Sequence, residues 1–321
     1  MSDVVEELRA RVVKNPRDRE AQSVYADALI QAGDPRGAFI SLQMHLDGRL
    51  PPDKRETARL QAQALLKEHE SAWFGLARGW AEIRVRGGFI RAMRAPAAKF
   101  VANGAKLLAV EPVIDLTLTS VTDGDVVALA AMPALASVAE ISLQGRCSDK
   151  AAAALAASPH ATNLASLNFG GGSPGKAFAR AAANLRGLET FVATGSEMGD
   201  DAVEIFAALD LPSLARLYLA RCELTDASMS AIANGRALSN VVKLCLGGNA
   251  IGDEGAEALA EGTSLGKLAH LELNATEISD EGARALAKSK SLASLKRLDL
   301  RMCENLESSP RGKPGLTIVD Y

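Results

Sequence analysis

From residue 113 onward the chain repeats one spacing of apolar positions: apolar, two others, apolar, one other, apolar. It reads Val113-x-x-Leu116-x-Leu118, Val138-x-x-Ile141-x-Leu143, Leu164-x-x-Leu167-x-Phe169 and Leu188-x-x-Phe191-x-Ala193. It continues as Leu214-x-x-Leu217-x-Leu219, Val241-x-x-Leu244-x-Leu246, Leu268-x-x-Leu271-x-Leu273 and Leu295-x-x-Leu298-x-Leu300. The central anchors, at 116, 141, 167, 191, 217, 244, 271 and 298, lie 25, 26, 24, 26, 27, 27 and 27 residues apart. A fixed period of this length means stacked supersecondary units rather than one central core. Within each copy the alternation is that of a strand, with the anchors on one face. Such a strand is too short to bury its face alone. A neighbour at roughly 4.8 Å completes the core.

The other half of each copy predicts a short helix. Thr225-Asp226-Ala227 precedes Met229-x-x-Ile232-Ala233, Gly252-Asp253-Glu254 precedes Ala256-x-x-Leu259-Ala260, and Ser279-Asp280-Glu281 precedes Ala283-x-x-Leu286-Ala287. Ser, Thr or Asp accepts hydrogen bonds from the free N–H groups of a first helical turn, and acids suit its positive end. The same capping role accounts for the paired carboxylates Asp200-Asp201, Asp253-Glu254 and Asp280-Glu281. Small residues at 256, 260, 283 and 287 let the helices lie close to the strands. Alternating strand and helix require parallel strands with the helices outside. Helices are wider than strands, so the stack is expected to bend into a horseshoe.

Leu244-Cys-Leu246-Gly-Gly-Asn249-Ala-Ile251-Gly-Asp253-Glu254-Gly-Ala256-Glu-Ala-Leu259 resembles the leucine-rich repeat, in the long helix-containing form of ribonuclease inhibitor. The resemblance covers residues 113 to 303. It implies an α/β right-handed solenoid with parallel strands on a concave face and helices on the convex side. It also implies Asn or Cys three residues after the last strand anchor, bonded to the backbone of the turn. That column holds Val121, Arg146, Gly172, Ser196, Cys222, Asn249, Thr276 and Cys303. The first three depart from the pattern, so the early turns are expected to be less regular.

Residues 1–80 lack the period and read as an all-α domain. Val4, Val5, Leu8 and Val12 share a helical face that Asn15-Pro16 ends. A second helix spans 21–32 before Gly33-Asp34-Pro35, a third spans 38–46 before Pro51-Pro52, and a fourth runs from about 53 to 76. Tyr25-Ala-Asp27-Ala-Leu29, with Gly33-Asp34-Pro35-Arg36-Gly-Ala-Phe39-Ile40-x-Leu42-Gln43, resembles the bacterial repeat-companion domain, although Ala28 stands where that family has an aromatic. The family is found beside repeat arrays, so the resemblance implies architecture rather than activity. Residues 81–112 read as a cap and a degenerate first repeat. Trp73, Phe74 and Trp80 cover the open apolar edge, and Gly88 to Met93 form a strand. Residues 304–321 read as a C-terminal cap in which Leu316 to Val319 add a last strand.

Composition changes this picture little. Hydrophobic residues make up 48% of 321 and aromatics 4%, as thin repeats packed with Leu and Ala require. A net charge of −3 gives no overall attraction for nucleic acid, and no apolar run has the length of a membrane span or the form of a signal peptide. The four cysteines, at 147, 222, 245 and 303, lack metal spacing, and reduced thiols fit a cytoplasmic protein. His45, His69, His160 and His270 form no metal-ligand pair. Gly170-Gly-Gly172-Ser-Pro-Gly175 has the outline of a dinucleotide fingerprint, but it occupies a repeat's own turn and leaves room for only a short helix. No metal, cofactor or catalytic residue is expected.

Charge is uneven. Arg84, Arg86, Arg91, Arg94, Lys99 and Lys106 follow one another with no acid between Glu82 and Glu111. Residues 197–261 carry eleven acids against four Arg or Lys. The basic run could meet phosphates or an acidic partner, or simply form a solvated face. The side chains between strand anchors face away from the helices, and Tyr and Arg commonly anchor interfaces. These considerations single out Tyr218, Cys245, His270, Glu272, Arg297, Asp299 and Arg301 as a partner-binding face. The expectation is a non-enzymatic scaffold that binds a protein partner through the concave face, with neither nucleic acid nor membrane as partner. The alternatives are an inhibitor or immunity protein, or an activator of a small GTPase.

Overall fold

The computed structural model describes residues 2–48 and 50–320; Met1, Arg49 and Tyr321 lie outside them. It comprises two compact units, Met1–Thr119 with Met132–Glu140, and Ser120–Ala131 with Ile141–Tyr321.

The first unit opens with four helices, α1 (Ser2–Lys14), α2 (Arg19–Gln31), α3 (Pro35–Leu46) and α4 (Pro52–Phe74). Asp18 and Asp34 cap α2 and α3 by accepting from Ala21 N and Arg36 N, and Pro35 starts α3 where its missing N–H is harmless. Gly37 is required by packing. A Cβ there would lie 2.6 Å from Ala26 O and 2.7 Å from Ile30 N, so a side chain would force α2 and α3 apart. Val12 is buried among Tyr25, Leu29, Ile40 and Phe89, with Val5 and Leu8 packed against them. Val4, expected on the same face, is exposed at the first turn. Trp73 stacks on the buried Phe39 ring with centroids 5.0 Å apart, and Trp80 lies against Phe100.

Beyond the helices come β1 (Glu82–Arg86), β2 (Phe89–Pro96), α5 (Ala97–Leu108) and β3 (Asp115–Val121). The strand expected at Gly88–Met93 is β2, paired in parallel with β3 through Met93↔Leu116 and Ala95↔Leu118. Its other edge is covered by β1, an antiparallel partner joined to β2 by Gly87 and Gly88, both at positive φ.

The second unit alternates helix and strand. Its elements are α6 (Asp123–Ala130), β4 (Glu140–Gly145), α7 (Asp149–Ala156), β5 (Ser166–Gly170), α8 (Lys176–Ala181), β6 (Thr190–Val192), α9 (Gly199–Ala207) and β7 (Arg216–Tyr218). It continues with α10 (Met229–Asn234), β8 (Lys243–Cys245), α11 (Asp253–Glu261), β9 (His270–Glu272), α12 (Asp280–Lys288), β10 (Arg297–Asp299) and β11 (Thr317–Val319). Strands β4 to β11 are hydrogen-bonded in chain order, and from β5 onward each pair is parallel. The expected last strand is β11. The repeat register is explicit in the pairing: Phe191, Leu217, Leu244, Leu271, Leu298 and Ile318 are successive partners. None of the apolar anchors of the eight copies is more than 3% exposed.

Strand length falls along the chain, from seven residues in β3 through six and five to three in β6 and after. The turn column explains the change. Asn249 Nδ2 donates to Leu219 O and Leu246 O at 2.8 and 2.7 Å, and its Oδ1 accepts from Cys222 N and Leu224 N at 2.8 and 3.2 Å. Cys222 Sγ donates to Ala193 O, Thr276 Oγ1 to Leu273 O, and Cys303 Sγ to Leu273 O. These buried side chains satisfy backbone groups that have left the strand ladder, so the turn starts at once. Val121 and Gly172 offer no such donor. In the second copy Arg146 is exposed and the interior position falls to Cys147, one residue later. Gly145, at φ 152°, makes that displacement; a Cβ on it would meet Val121 N at 2.4 Å.

The paired carboxylates reach further than expected. Asp253 accepts from Ser279 N, Ser279 Oγ and Gly282 N at the head of the following helix, not its own. Asp123 binds Ser148 in the same way, Asp149 binds Gly175 N, Ala177 N and Phe178 N, and Asp200 binds Thr225 and Ser228. Asp280 takes Glu307 N and Ser308 N. Each carboxylate thus joins one repeat to the next. The following Gly makes room: a Cβ on Gly282 would lie 2.5 Å from Asp253 Oδ1. Where the interior is not Leu and Ala, Phe169, Phe178, Phe191 and Phe206 pack as one buried cluster, with Phe191 stacked between Phe178 and Phe206 at 5.1 Å each.

Candidate partner-binding face

Strands β7 to β10 carry the expected residues, and parallel pairing sorts them into two rows. One row runs Arg216, Lys243, His270, Arg297 and Thr317; the next runs Tyr218, Cys245, Glu272, Asp299 and Val319. In the first row Arg216, His270 and Arg297 are exposed, and Arg216 Nε is held by Thr190 Oγ1 at 2.8 Å.

The second row is knitted to the first by charge. Lys243 Nζ lies 2.6 Å from Glu272 Oε1 and 5.4 Å from the centre of the Tyr218 ring. Cys245 Sγ donates to Glu272 Oε2 at 2.7 Å. Burial pushes the Cys245 thiol up to about 12, and the neighbouring Glu272 adds to the shift. Burial alone would raise the Glu272 carboxyl, but hydrogen bonds from Cys245 and Lys243 outweigh it and hold the group below its usual value. Glu272 in turn raises the Lys243 ammonium. On the next strand, opposite Glu272, Asp299 is clamped by Arg301, with Nε at 2.9 Å from Oδ1 and Nη2 at 2.7 Å from Oδ2, and Arg297 Nη2 is 3.9 Å away. These contacts outweigh burial and keep Asp299 below the ordinary carboxylate range.

A thiol titrating at about 12 stays protonated and is a poor nucleophile, and the carboxylates here are ionised and bonded to cations. The face offers fixed charges, a ring and exposed guanidiniums. Among the described residues no group of three His, Cys, Asp or Glu is placed to hold a metal ion, and no helix is long and apolar enough to cross a membrane.

Two of these repeats have a recognised sequence type. Residues 237–260 and 267–287 match the family model described as Leucine Rich repeat. The matched stretches hold β8, most of α11, β9 and most of α12. No curated protein matches the chain. Among solved structures the chain is similar to an internalin from Listeria monocytogenes, at 20% identity and TM-score 0.47 over 65% of this chain and 54% of that one. It is similar to a chain of the yeast Rad7–Elc1 complex at 14% identity and TM-score 0.48, over 71% of this chain and 67% of that one. It is also similar to the leucine-rich-repeat ectodomain of the Arabidopsis receptor kinase HAESA, solved with a peptide hormone ligand, at 16% identity and TM-score 0.37 over 72% and 41%. The chain thus spans about half the length of the internalin and less than half of the receptor ectodomain. At TM-scores below 0.5 these similarities decide nothing further.

Of the seven residues singled out by sequence, Tyr218, His270, Glu272, Arg297 and Arg301 remain accessible at least in part. Cys245 and Asp299 do not: they are 9% and 2% exposed. The reason is local. Each is covered by the longer side chain it binds or supports, Glu272 in one case and Arg301 in the other. Lys243 and Arg216 belong to the face although alternation alone ranks them no higher than any other outward position. The signal for Lys243 was its place two residues from Cys245, whose register partners are Tyr218 and Glu272, which a strand alignment of the copies supplies.

Proposed function

We propose that this protein is a non-enzymatic, cytoplasmic interaction module that binds a protein partner through the accessible face of β7 to β10. One observation carries the reading. The pairing register lines up Arg216, Lys243, His270 and Arg297, and before any partner arrives Lys243 is fixed by the Glu272 ion pair and the Tyr218 ring, Arg216 by Thr190, and Arg297 by its approach to Asp299. Preorganised charged and aromatic side chains lose little entropy on binding. The row is basic, so the fitting partner presents carboxylates.

The wider architecture in this reading is a right-handed leucine-rich solenoid of eight repeats over 113–303, of the ribonuclease-inhibitor type, strands concave and helices convex. Residues 1–80 form a helical domain of repeat-companion type, 81–112 a cap with a degenerate repeat, and 304–321 a C-terminal cap. The buried anchors at a 24-to-27-residue period and the helices α1 to α4 support it. Four free, buried cysteines fit a reducing compartment.

The test is capture from native cytosol by the wild-type chain and by R216E/R297E, which alters exposed side chains only. A protein held stoichiometrically by wild type and released by the double substitution, or by raised salt, supports the face. Equal capture by both chains eliminates it.

A further inference from the structure

The basic run divides in the structure. Arg84, Arg86 and Arg94 are exposed on the β1–β2 hairpin, whereas Arg91 is drawn inward. On β2, Arg91 is the extra residue of a β-bulge, since Arg84 pairs with Ala92 and Val85 with Ile90, and the bulge leaves it only partly exposed. Its guanidinium lies 5.1 Å from the centre of the Phe89 ring and makes a long contact, 3.4 Å, with Pro112 O. The buried carboxylate nearby, Glu111, is already taken by Arg36 and by Ile90 N. Burial lowers the Arg91 guanidinium to about 10, which leaves it charged at neutral pH.

Arg91 lines a cavity of about 430 Å³ that lies wholly within the first unit, together with Arg17, Arg19, Arg84 and Arg86. Three acids, Asp47, Asp115 and Glu140, stand at its walls, so five positive charges face three negative. Some of these are committed: Arg86 pairs with Asp47 at 3.5 Å, and Arg19 Nη2 donates to Met44 O at 3.0 Å. Among the described residues no carboxylate lies within ion-pair distance of Arg17, Arg84 or Arg91. Glu111 and Asp47 act on Arg91, and Arg84 on Asp115, only from beyond pairing distance, and a half-buried cation so placed is costly unless a ligand supplies closer charge.

We infer that this cavity binds a phosphoryl dianion, clamped between the guanidiniums of Arg91 and Arg84. Guanidinium forks match phosphate oxygens two at a time, and a dianion with three acceptor oxygens satisfies two forks where a single carboxylate fills one. The volume lies in the range of small-ligand sites, roughly 300–1,000 Å³. Met44, Ala92 and Ile114 offer an apolar wall to the organic part of a phosphate ester, and Asp115 and Glu140 can accept from its hydroxyl or amino groups. Free phosphate and a small organic phosphate share the required chemistry. The site shares no residue with the face of β7 to β10, and neither reading depends on the other.

Calorimetric titration of the full chain separates the outcomes, with inorganic phosphate, adenosine monophosphate, adenosine and citrate as probes. Phosphate and the monophosphate are expected to bind one per chain and to compete, while adenosine and citrate give no heat. Tighter binding of the monophosphate assigns the site to organic phosphates; equal or tighter binding of phosphate assigns it to the free ion. R91M keeps the buried stem and should weaken binding about tenfold or more. R84Q, at an exposed position that folding does not depend on, should do so as well, and R94Q, outside the cavity, should not. The inference fails if neither phosphate probe binds the wild type, if citrate binds as tightly as phosphate, or if R84Q and R91M bind as the wild type does.

Discussion

The pair Arg36–Glu111 joins residues 75 positions apart and permits a sharp test of what holds the first unit together. Glu111 is 1% exposed; its Oε1 accepts from Arg36 Nη2 at 2.5 Å and its Oε2 from Ile90 N at 2.9 Å. The Arg36 guanidinium lies 5.3 and 5.6 Å from the Phe74 and Phe89 ring centres, and its Nε is buried without a hydrogen-bond partner among the described residues. Burial raises the Glu111 carboxyl more than Arg36 and Ile90 lower it. Its folded value therefore exceeds the unfolded one. The contribution of this group is present below the unfolded value, near 4.3, and declines as pH rises through the folded value. Removing one member of a buried pair costs about 3–5 kcal/mol. The ring contacts that Arg36 keeps offset part of this, about 0.5–2 kcal/mol. E111Q, which retains an acceptor for Ile90 N, should therefore cost about 2–4 kcal/mol at neutral pH. R36M should cost a similar amount, by stranding the carboxylate. The double variant R36M/E111Q replaces the pair by a matched neutral one and should return to within about 1 kcal/mol of wild type. Urea unfolding followed by tryptophan emission measures all three, because both tryptophans, Trp73 and Trp80, lie in this unit. Costs that simply add in the double variant would refute the pairing argument, and so would an E111Q loss below about 1 kcal/mol.

Other expectations concern the second unit. Leu244→Ala opens a cavity between stacked repeats at a position that is 0% exposed and should cost about 2–5 kcal/mol by urea titration of circular dichroism; a change within error counts against the register. Phe191→Ala, which removes the central ring of the stacked cluster, should cost about 3–5 kcal/mol in the same assay. Asn249→Ala strands two carbonyls and two N–H groups in the interior and should cost at least about 3 kcal/mol, with faster amide exchange at Cys222 and Leu224 as the local readout. Burial raises the Asp253 carboxyl, but the hydrogen bonds from Ser279 and Gly282 outweigh it and hold the group below its ordinary value. The unfolded state then binds the proton first, so this stability is present above about pH 4 and is lost as pH falls further. Asp253→Asn should cost about 0.5–2 kcal/mol at neutral pH and flatten acid unfolding between about pH 5 and 2; identical acid profiles would refute the role assigned to this carboxylate.

The repeat period, the buried anchors, the helix starts and the closing strand β11 were legible because each depends on short-range spacing. Alternation fixes which strand residues turn inward, and a Ser or Thr before an acid fixes where a helix begins. What escaped depends on partners far along the chain. Arg36 reads as one cation in a turn motif until Glu111 arrives 75 residues later. Asp253 has the spacing of a cap for its own helix, yet the stacking distance brings Ser279 and Gly282 within its reach. Strand β1, the antiparallel partner of β2, lies outside the period altogether. Asp299 and Cys245 obey the outward alternation, but alternation says nothing of the longer neighbours that cover them. Arg91 was visible as a charge, while its place in a β-bulge followed only from the pairing of β2 with β1.

The aspartate links run one way. The heads of α7, α8, α10, α11 and α12 are each fastened by a carboxylate from upstream, and the tail at Glu307 and Ser308 is fastened likewise by Asp280; α9 is the exception, its Gly199 N donating instead to Cys222 O. Damage therefore has a direction. Trimming from the C-terminal end leaves each aspartate-fastened helix that survives with its fastening, whereas cutting out an internal aspartate releases the neighbour downstream. Excising one whole 27-residue period between Asp226 and Ser279 hands the orphaned serine to the previous carboxylate at the same spacing. An array linked in this manner can shorten or lengthen by whole periods without any new contact being devised.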